Sequence, residues 1–310
     1  MTATVAATPV VRSAVRSAKR RRDTLAGYAF LSPALLLFIA FIAIPLIACI
    51  VLSFTTWDVL TPAKWAGLAN YRKLAHDSVA WQALSNTLLF AVASVVTHIV
   101  IGLALALAVN RMGSRILRYI VRTTVFFPVI VSWAAAALLW RYVLDPDFGF
   151  ITYYLKKLGA SPPAWFISDT WALPSLISID LWKTLGLTFI ILLAGLQTVP
   201  ASLHEAAAID GAGAWRRFWN VTIPMISPTL LFATITTAIG ALQIFEPMYI
   251  ITEGGPNNST LSMSEYVYNT AFRDFTMGYA CTLAICLIVA IMIITGIQLW
   301  LSRRWVTYDR

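Results

Sequence analysis

Six stretches of this chain are apolar over lengths that match the hydrocarbon core of a lipid bilayer, and nothing else in the sequence limits the fold as much. A helix that crosses a bilayer needs about 20 consecutive, mainly apolar residues. Runs of that kind fall at approximately 27–54, 86–109, 121–143, 172–198, 223–251 and 278–301. The first and last are almost uninterrupted, whereas "RTTVFFPVIVSWAAAALLWRY" and "ALPSLISIDLWKTLGLTFIILLAGL" contain charges. Only 12% of the 310 residues are charged, against roughly a quarter in soluble domains. The expected fold is therefore an all-α integral membrane protein with six transmembrane helices. The basic start "RSAVRSAKRRRD" resembles the front of a signal peptide, but the apolar run behind it is longer than the usual 7–15 residues, so the first span is expected to stay in place. Cys49, Cys281 and Cys286 all fall inside expected spans and form neither a disulfide framework nor a metal pattern.

Charge asymmetry gives the orientation. With the N-terminus inside, 15 basic residues lie in inner segments, among them Arg111, Arg115, Arg118, Arg122, Arg216 and Arg217, and 7 lie in outer loops. Lys183 lies within a span. The positive-inside rule then places both termini, and the segment 199–222, in the cytoplasm. The net charge of +9 follows from topology and anionic lipid, since nucleic-acid binding requires a coherent basic face on a soluble module.

The segment "HEAAAIDGAGAWRRFWNVTIPMISP" is polar and helix-forming between apolar neighbours. Ser202 and Glu205 have the spacing of a capping box, and Gly211 and Gly213 are expected to stop the helix that follows. Trp215, Phe218 and Trp219 then recur at i, i+3, i+4 and make one aromatic face, with Pro224 suited to the first turn of the next span. Two partial motifs in this segment are discarded. "HEAAA" has alanine where a zinc protease needs its second histidine, and "GAGAWR" lacks the third glycine of a dinucleotide loop.

Glu205-Ala206-Ala207, Asp210-Gly211-Ala212 and the "VTIP" ending at Pro224 resemble the cytoplasmic EAA loop of bacterial ABC-importer permeases, with Val221 and Ile223 as departures. The chain is most similar to the sugar permeases of the maltose and glycerol-phosphate type, a group to which "LSFTTWD", "GLANYRKL", "AGLQTVP" and "TEGGPNNST" also point. The likeness covers roughly residues 25–305. It implies a type I importer fold with a basic tail at 1–24, a permease domain at 25–305 carrying the EAA loop at 199–224, and a short end at 306–310, in a bacterial cell membrane. It further implies that Glu205, Ala206, Ala207, Asp210, Gly211 and Ala212 meet a separate ATP-hydrolysing subunit. The implied partners are a second, related permease, two ATPase subunits that hold ATP and magnesium, and an extracytoplasmic binding protein that delivers a sugar or oligosaccharide. The absence of a G-x-x-x-x-G-K-[ST] loop from the sequence agrees with an external motor.

Candidate pathway residues are the polar and aromatic ones within spans, because ionisable groups there tend to face a cavity. Asp180 and Lys183 lie three apart and are expected to share a face, either as an ion pair or as substrate contacts. Thr236, Gly240, Gln243 and Glu246 fall on one helical stripe, and Trp133 and Trp140 add aromatic surface. Thr236 has the alternative of bonding to its own helix, and His98 reads as a satisfied bundle histidine. Glycerol 3-phosphate or a glycerophosphodiester is the alternative cargo. A stand-alone secondary transporter would need internal repeats, and none is clear.

Overall fold

The computed structural model describes Thr24 and residues 26–306, so nearly all of the tail assigned to 1–24, and residues 307–310 of the short end, lie outside the described residues. Helix α1 (Ala26–Leu52) leads into a two-stranded antiparallel ladder, β1 (Thr55–Thr56) with β2 (Lys64–Trp65). Then come α2 (Ala69–His76), α3 (Ser78–Arg111), α4 (Arg115–Ile130), α5 (Trp133–Val143) and α6 (Phe150–Lys157). They are followed by α7 (Ala172–Gln197), α8 (Ala201–Ile209), α9 (Ala214–Met225), α10 (Ser227–Leu242), α11 (Met263–Tyr268) and α12 (Met277–Ser302). Among the described residues, α1, α3, α7 and α12 are each long and apolar enough to cross a membrane, and the pairs α4–α5 and α9–α10 pass the same test as bent units.

Those two bends correct the sequence reading of the third and fifth spans as continuous helices. Between α4 and α5 the axis turns by 101°. Pro128 removes a ladder donor near the end of α4, Val131 and Ser132 are extended, and the Ser132 hydroxyl caps α5 by accepting the Ala135 N–H at 3.3 Å. Between α9 and α10 the turn is 69°. The first turn of α10 contains Pro228, while Pro224, expected there, lies back in α9. Proline also explains the widened π turns at Ile39–Ala43 and Phe218–Thr222. Pro45 and Pro224 cannot donate to the carbonyls four residues earlier, and the ladder shifts there.

The bundle is organised around α7. It packs along α3, α4 and α10, and its contacts with α4 need a glycine: a Cβ at Gly186 would stand 2.6 Å from the Val125 carbonyl oxygen and 2.8 Å from Phe126 Cα. One apolar cluster joins Phe90, Leu176, Ile179, Leu242 and Met248, and a second joins Val109, Phe189, Leu192, Ile226 and Leu230 nearer the end that carries 199–224. Helix α12 packs against α1 and α11. No residue of the 18-residue core window of α1 is buried within this chain, so most of its apolar surface outside the contact with α12 is left exposed. All three cysteines are free.

Candidate functional site

Two regions carry the polar chemistry. The first is the turn from α8 to α9. Helix α8 starts at Ala201, with Pro200 (φ −61°, ψ 133°) as its N-cap and no side-chain cap. The Ser202–Glu205 capping box expected from the sequence does not form. Pro200 holds the extended position that a capping serine needs, so Ser202 is already helical and its hydroxyl cannot reach the free N–H groups. Glu205 is left exposed on the helix surface. The helix ends as expected at Gly211, whose φ of +77° is left-handed and strained for residues with a Cβ. The Ala212 N–H donates to the Ala207 carbonyl at 2.9 Å and the Gly211 N–H to Ala208 at 3.1 Å, the paired bonds of a Schellman stop. Asp210 is the C-cap residue. Beyond it, Trp215, Phe218 and Trp219 form the expected aromatic cluster, with ring centroids 5.1–6.0 Å apart. Trp215 is 74% and Trp219 50% exposed.

The second region is a cavity of about 210 Å³ between α3, α5, α7 and α10. A closed polar ring forms one wall. Ser94 donates to the Asp180 carboxylate at 2.7 Å, and the Thr184 hydroxyl lies 2.9 Å from the Asp180 carbonyl oxygen. His98 Nε2 is 2.7 Å from that hydroxyl, while its Nδ1 donates to the Ser94 carbonyl at 2.7 Å. Asp180 is only 5% exposed, yet its carboxylate meets hydroxyl donors and one edge of the cavity. Thr188 and Thr237 face each other at 3.2 Å, and Trp133 supplies an aromatic wall.

Of the expected pathway residues, the cavity brings together Asp180, Trp133, Thr236 and Gly240. Thr236 also donates to the Phe232 carbonyl of its own helix at 2.9 Å. Asp180 and Lys183 do not pair. Lys183 Nζ donates to the Val129 carbonyl at 3.0 Å and lies 5.4 Å from the centre of the Trp133 ring. That carbonyl is in the last turn of α4, where helix carbonyls lack partners and the dipole favours a cation. Gln243 and Glu246 do not extend the stripe. Pro247 cannot donate to the Gln243 carbonyl, so α10 stops at Leu242 and both side chains are exposed beyond the break. Trp140 packs edge-on against Trp182 at 5.4 Å, outside the cavity lining.

His98, Thr184, Thr188 and Thr237 are the members of the site that the residue-by-residue reading missed. His98 is satisfied at both ring nitrogens, as expected, and lines the cavity as well. The signal available in the sequence was weak: Asp180 and Thr184 are one turn apart, as are Thr184 and Thr188, and His98 is one turn from Ser94. Only the packing of α3 on α7 brings the two sets together.

Comparison with known proteins bears on the chain as a whole. Residues 98–307 match the family described as binding-protein-dependent transport system inner membrane component. The chain is 36% identical to the probable ABC transporter permease protein YesP of Bacillus subtilis, over 95% of this chain and 96% of that one. It is likewise 36% identical to the lactose transport system permease protein LacF of Rhizobium radiobacter, over 93% of this chain and 97% of the relative. Among solved structures it resembles, with a TM-score of 0.81 and 25% identity over 94% of this chain and 98% of the other, a chain of the bacterial alginate ABC transporter in complex with an alginate pentasaccharide-bound periplasmic protein.

Proposed function

The chain belongs to the family of binding-protein-dependent transport system inner membrane components, a multi-pass ABC-importer permease with the type I fold and not an enzyme, and from that premise we propose the following reading of its working parts. The cargo is a neutral carbohydrate handed over by an extracytoplasmic binding protein. The cavity between α3, α5, α7 and α10 forms part of its path. The observation that carries this reading is the lining itself: a carboxylate, an imidazole and four threonine hydroxyls around one tryptophan face. Sugars offer hydroxyls to such acceptors and donors, and C–H faces to aromatic rings. A phosphate-bearing cargo would need free cationic groups in the path, and the one basic residue well inside a span, Lys183, lies outside this lining and donates to the Val129 carbonyl.

The cavity is smaller than typical ligand pockets of about 300–1,000 Å³. A single sugar ring fits the space, and the opposite wall of the path comes from the second permease. Helix α8, with Glu205 exposed and Gly211 fixing the turn, inserts into the ATPase subunit on the cytoplasmic side. ATP and magnesium stay with that subunit, and two copies of it serve the permease pair. Its closure swings α9 and, across the 69° bend, α10, whose Thr236, Thr237 and Gly240 line the cavity.

The test is binding-protein-dependent uptake by the reconstituted transporter, with a panel of labelled mono- and disaccharides and glycerol 3-phosphate. Uptake of a neutral sugar that falls at least about tenfold in Asp180→Asn or Trp133→Ala, with assembly intact, is the expected result. Preferred uptake of glycerol 3-phosphate overturns the cargo assignment, and sugar uptake insensitive to both changes overturns the path.

A further inference from the structure

A second cavity lies at the other end of the bundle, where α8 and α9 meet the end of α3. It has a volume of about 340 Å³ and is lined by Arg111 from α3, His204 from α8, and Ala214, Arg217, Phe218 and Thr222 from α9. A smaller cavity of about 90 Å³ shares Arg111, His204 and Thr222 with it and runs inward to Leu196. Two guanidinium groups and an imidazole thus converge, and no carboxylate lines either space. Arg217 Nε is buried without a hydrogen-bond partner among the described residues. Arg217 is half-buried as a residue, but a buried N–H left unpaired costs about 1–3 kcal/mol, so the arrangement favours an anion.

We propose that this cavity is a phosphate-binding site, and that its occupant is the headgroup of an anionic phospholipid from the inner leaflet. Arg guanidinium groups bind phosphate through paired, charge-assisted hydrogen bonds. The source of the phosphate is indicated by the neighbouring aromatics. Trp215 and Trp219 are 74% and 50% exposed, and their ring cluster includes Phe218, which lines the cavity. Exposed tryptophans of this kind sit at headgroup depth, and basic pockets between membrane helices on that side take lipid phosphates. A headgroup held there would tie α9 to α3 next to the ATPase-docking helix. The choice of leaflet rests on the reading of 199–224 as cytoplasmic, whereas binding itself is measured without transport.

The test uses the complete transporter, with its partner permease and ATPase subunits, in mixed detergent–lipid micelles. Phospholipid that stays bound through purification is quantified by native mass spectrometry, with phosphatidylglycerol against phosphatidylcholine as the probe. Phosphatidylglycerol is expected to be retained and phosphatidylcholine not. Arg217→Gln should weaken retention about tenfold, the loss of one charge-assisted contact, and Arg216→Gln, outside the cavity, should leave it unchanged. Arg111→Gln reads the same site should Arg217→Gln fail to assemble. Displacement of the lipid by inorganic phosphate at millimolar concentration supports the anion site and makes soluble phosphate its source; resistance to it supports the headgroup. Equal retention in wild type and both lining variants overturns the proposal. So does retention that appears only after the ATPase subunits are removed, which would mean that a protein carboxylate occupies the cavity.

Discussion

Residues 199–224 hold their turn through bonds that span five residues or fewer, whereas the Ser94–Asp180–Thr184–His98 ring joins positions 86 apart in the chain. The two regions also fail differently. The helix stop in the loop is made by backbone bonds beside exposed residues such as Asp210 and Gly211, where water can replace a lost partner, so one lost bond costs little and only the shape of the docking helix is at stake. In the cavity wall Ser94, His98 and Asp180 are buried, so a side chain that loses its partner there has no water to replace it.

The largest effect expected from this difference is at Asp180. Asp180→Ala removes the buried carboxylate that accepts from the Ser94 hydroxyl at 2.7 Å, leaves that hydroxyl without its partner and opens a small void, and should destabilise the chain by about 2–4 kcal/mol, read as thermal unfolding in detergent. A double-mutant cycle with Ser94→Ala should then be clearly non-additive; additive effects would break the picture of a connected ring. Next is Gly186→Ala, which sets a methyl group against the backbone of α4 and should cost about 1–3 kcal/mol. A neutral result would mean that α7 and α4 part easily and that the cavity wall is loosely held.

Glu265 in α11 tests whether a third region, on the connection between α10 and α12, behaves like the cavity. Burial pushes its carboxyl up to about 7, with Arg273 opposing and Glu253 adding to the rise, and its Oε2 is buried without a partner among the described residues. The folded chain therefore holds this proton more tightly than the unfolded chain does. The group's contribution is intact below the ordinary carboxyl value of 4.5 and is lost as pH rises to about 7. Glu265→Gln should remove that slope, stabilising the protein by about 1–3 kcal/mol at pH 8 while matching wild type at pH 4. A pH-independent difference between the two would contradict the buried-carboxyl account. The smallest effect belongs to the loop. Gly211→Ala, forced to φ +77°, should cost about 1 kcal/mol, confined to α8, and should add simply to Asp180→Asn in unfolding measurements.

The loop was legible in the sequence because its determinants are local: alanines that favour helix, a glycine that only a left-handed stop requires, aromatics at helical spacing. Even there Ser202 misled, since the competing claim of Pro200 on the cap position depends on which residue first turns helical. The four straight spans were legible from apolar length alone. The two bent ones were not, because Pro128 and Pro228 are tolerated inside apolar runs and hydropathy does not report axis direction. The cavity was half legible. Asp180 and Trp133 were found as the odd residues of their spans, but their partners are threonines and a histidine, residue types common in any bundle. The Asp180–Lys183 pair and the Gln243–Glu246 stripe failed for one reason: spacing along an assumed helix does not include the carbonyl ends of α4 or the break before Pro247.

The central claim, that this permease takes its energy from another chain through α8, is tested most directly by measuring sugar uptake and binding-protein-stimulated ATP hydrolysis together in the reconstituted transporter, wild type against Glu205→Ala and Gly211→Pro. The expected result is loss of both activities, or of ATPase assembly, in each variant, with the spans still inserted and the chain unfolding at a temperature close to that of wild type. ATP-dependent uptake unchanged in both variants would contradict it.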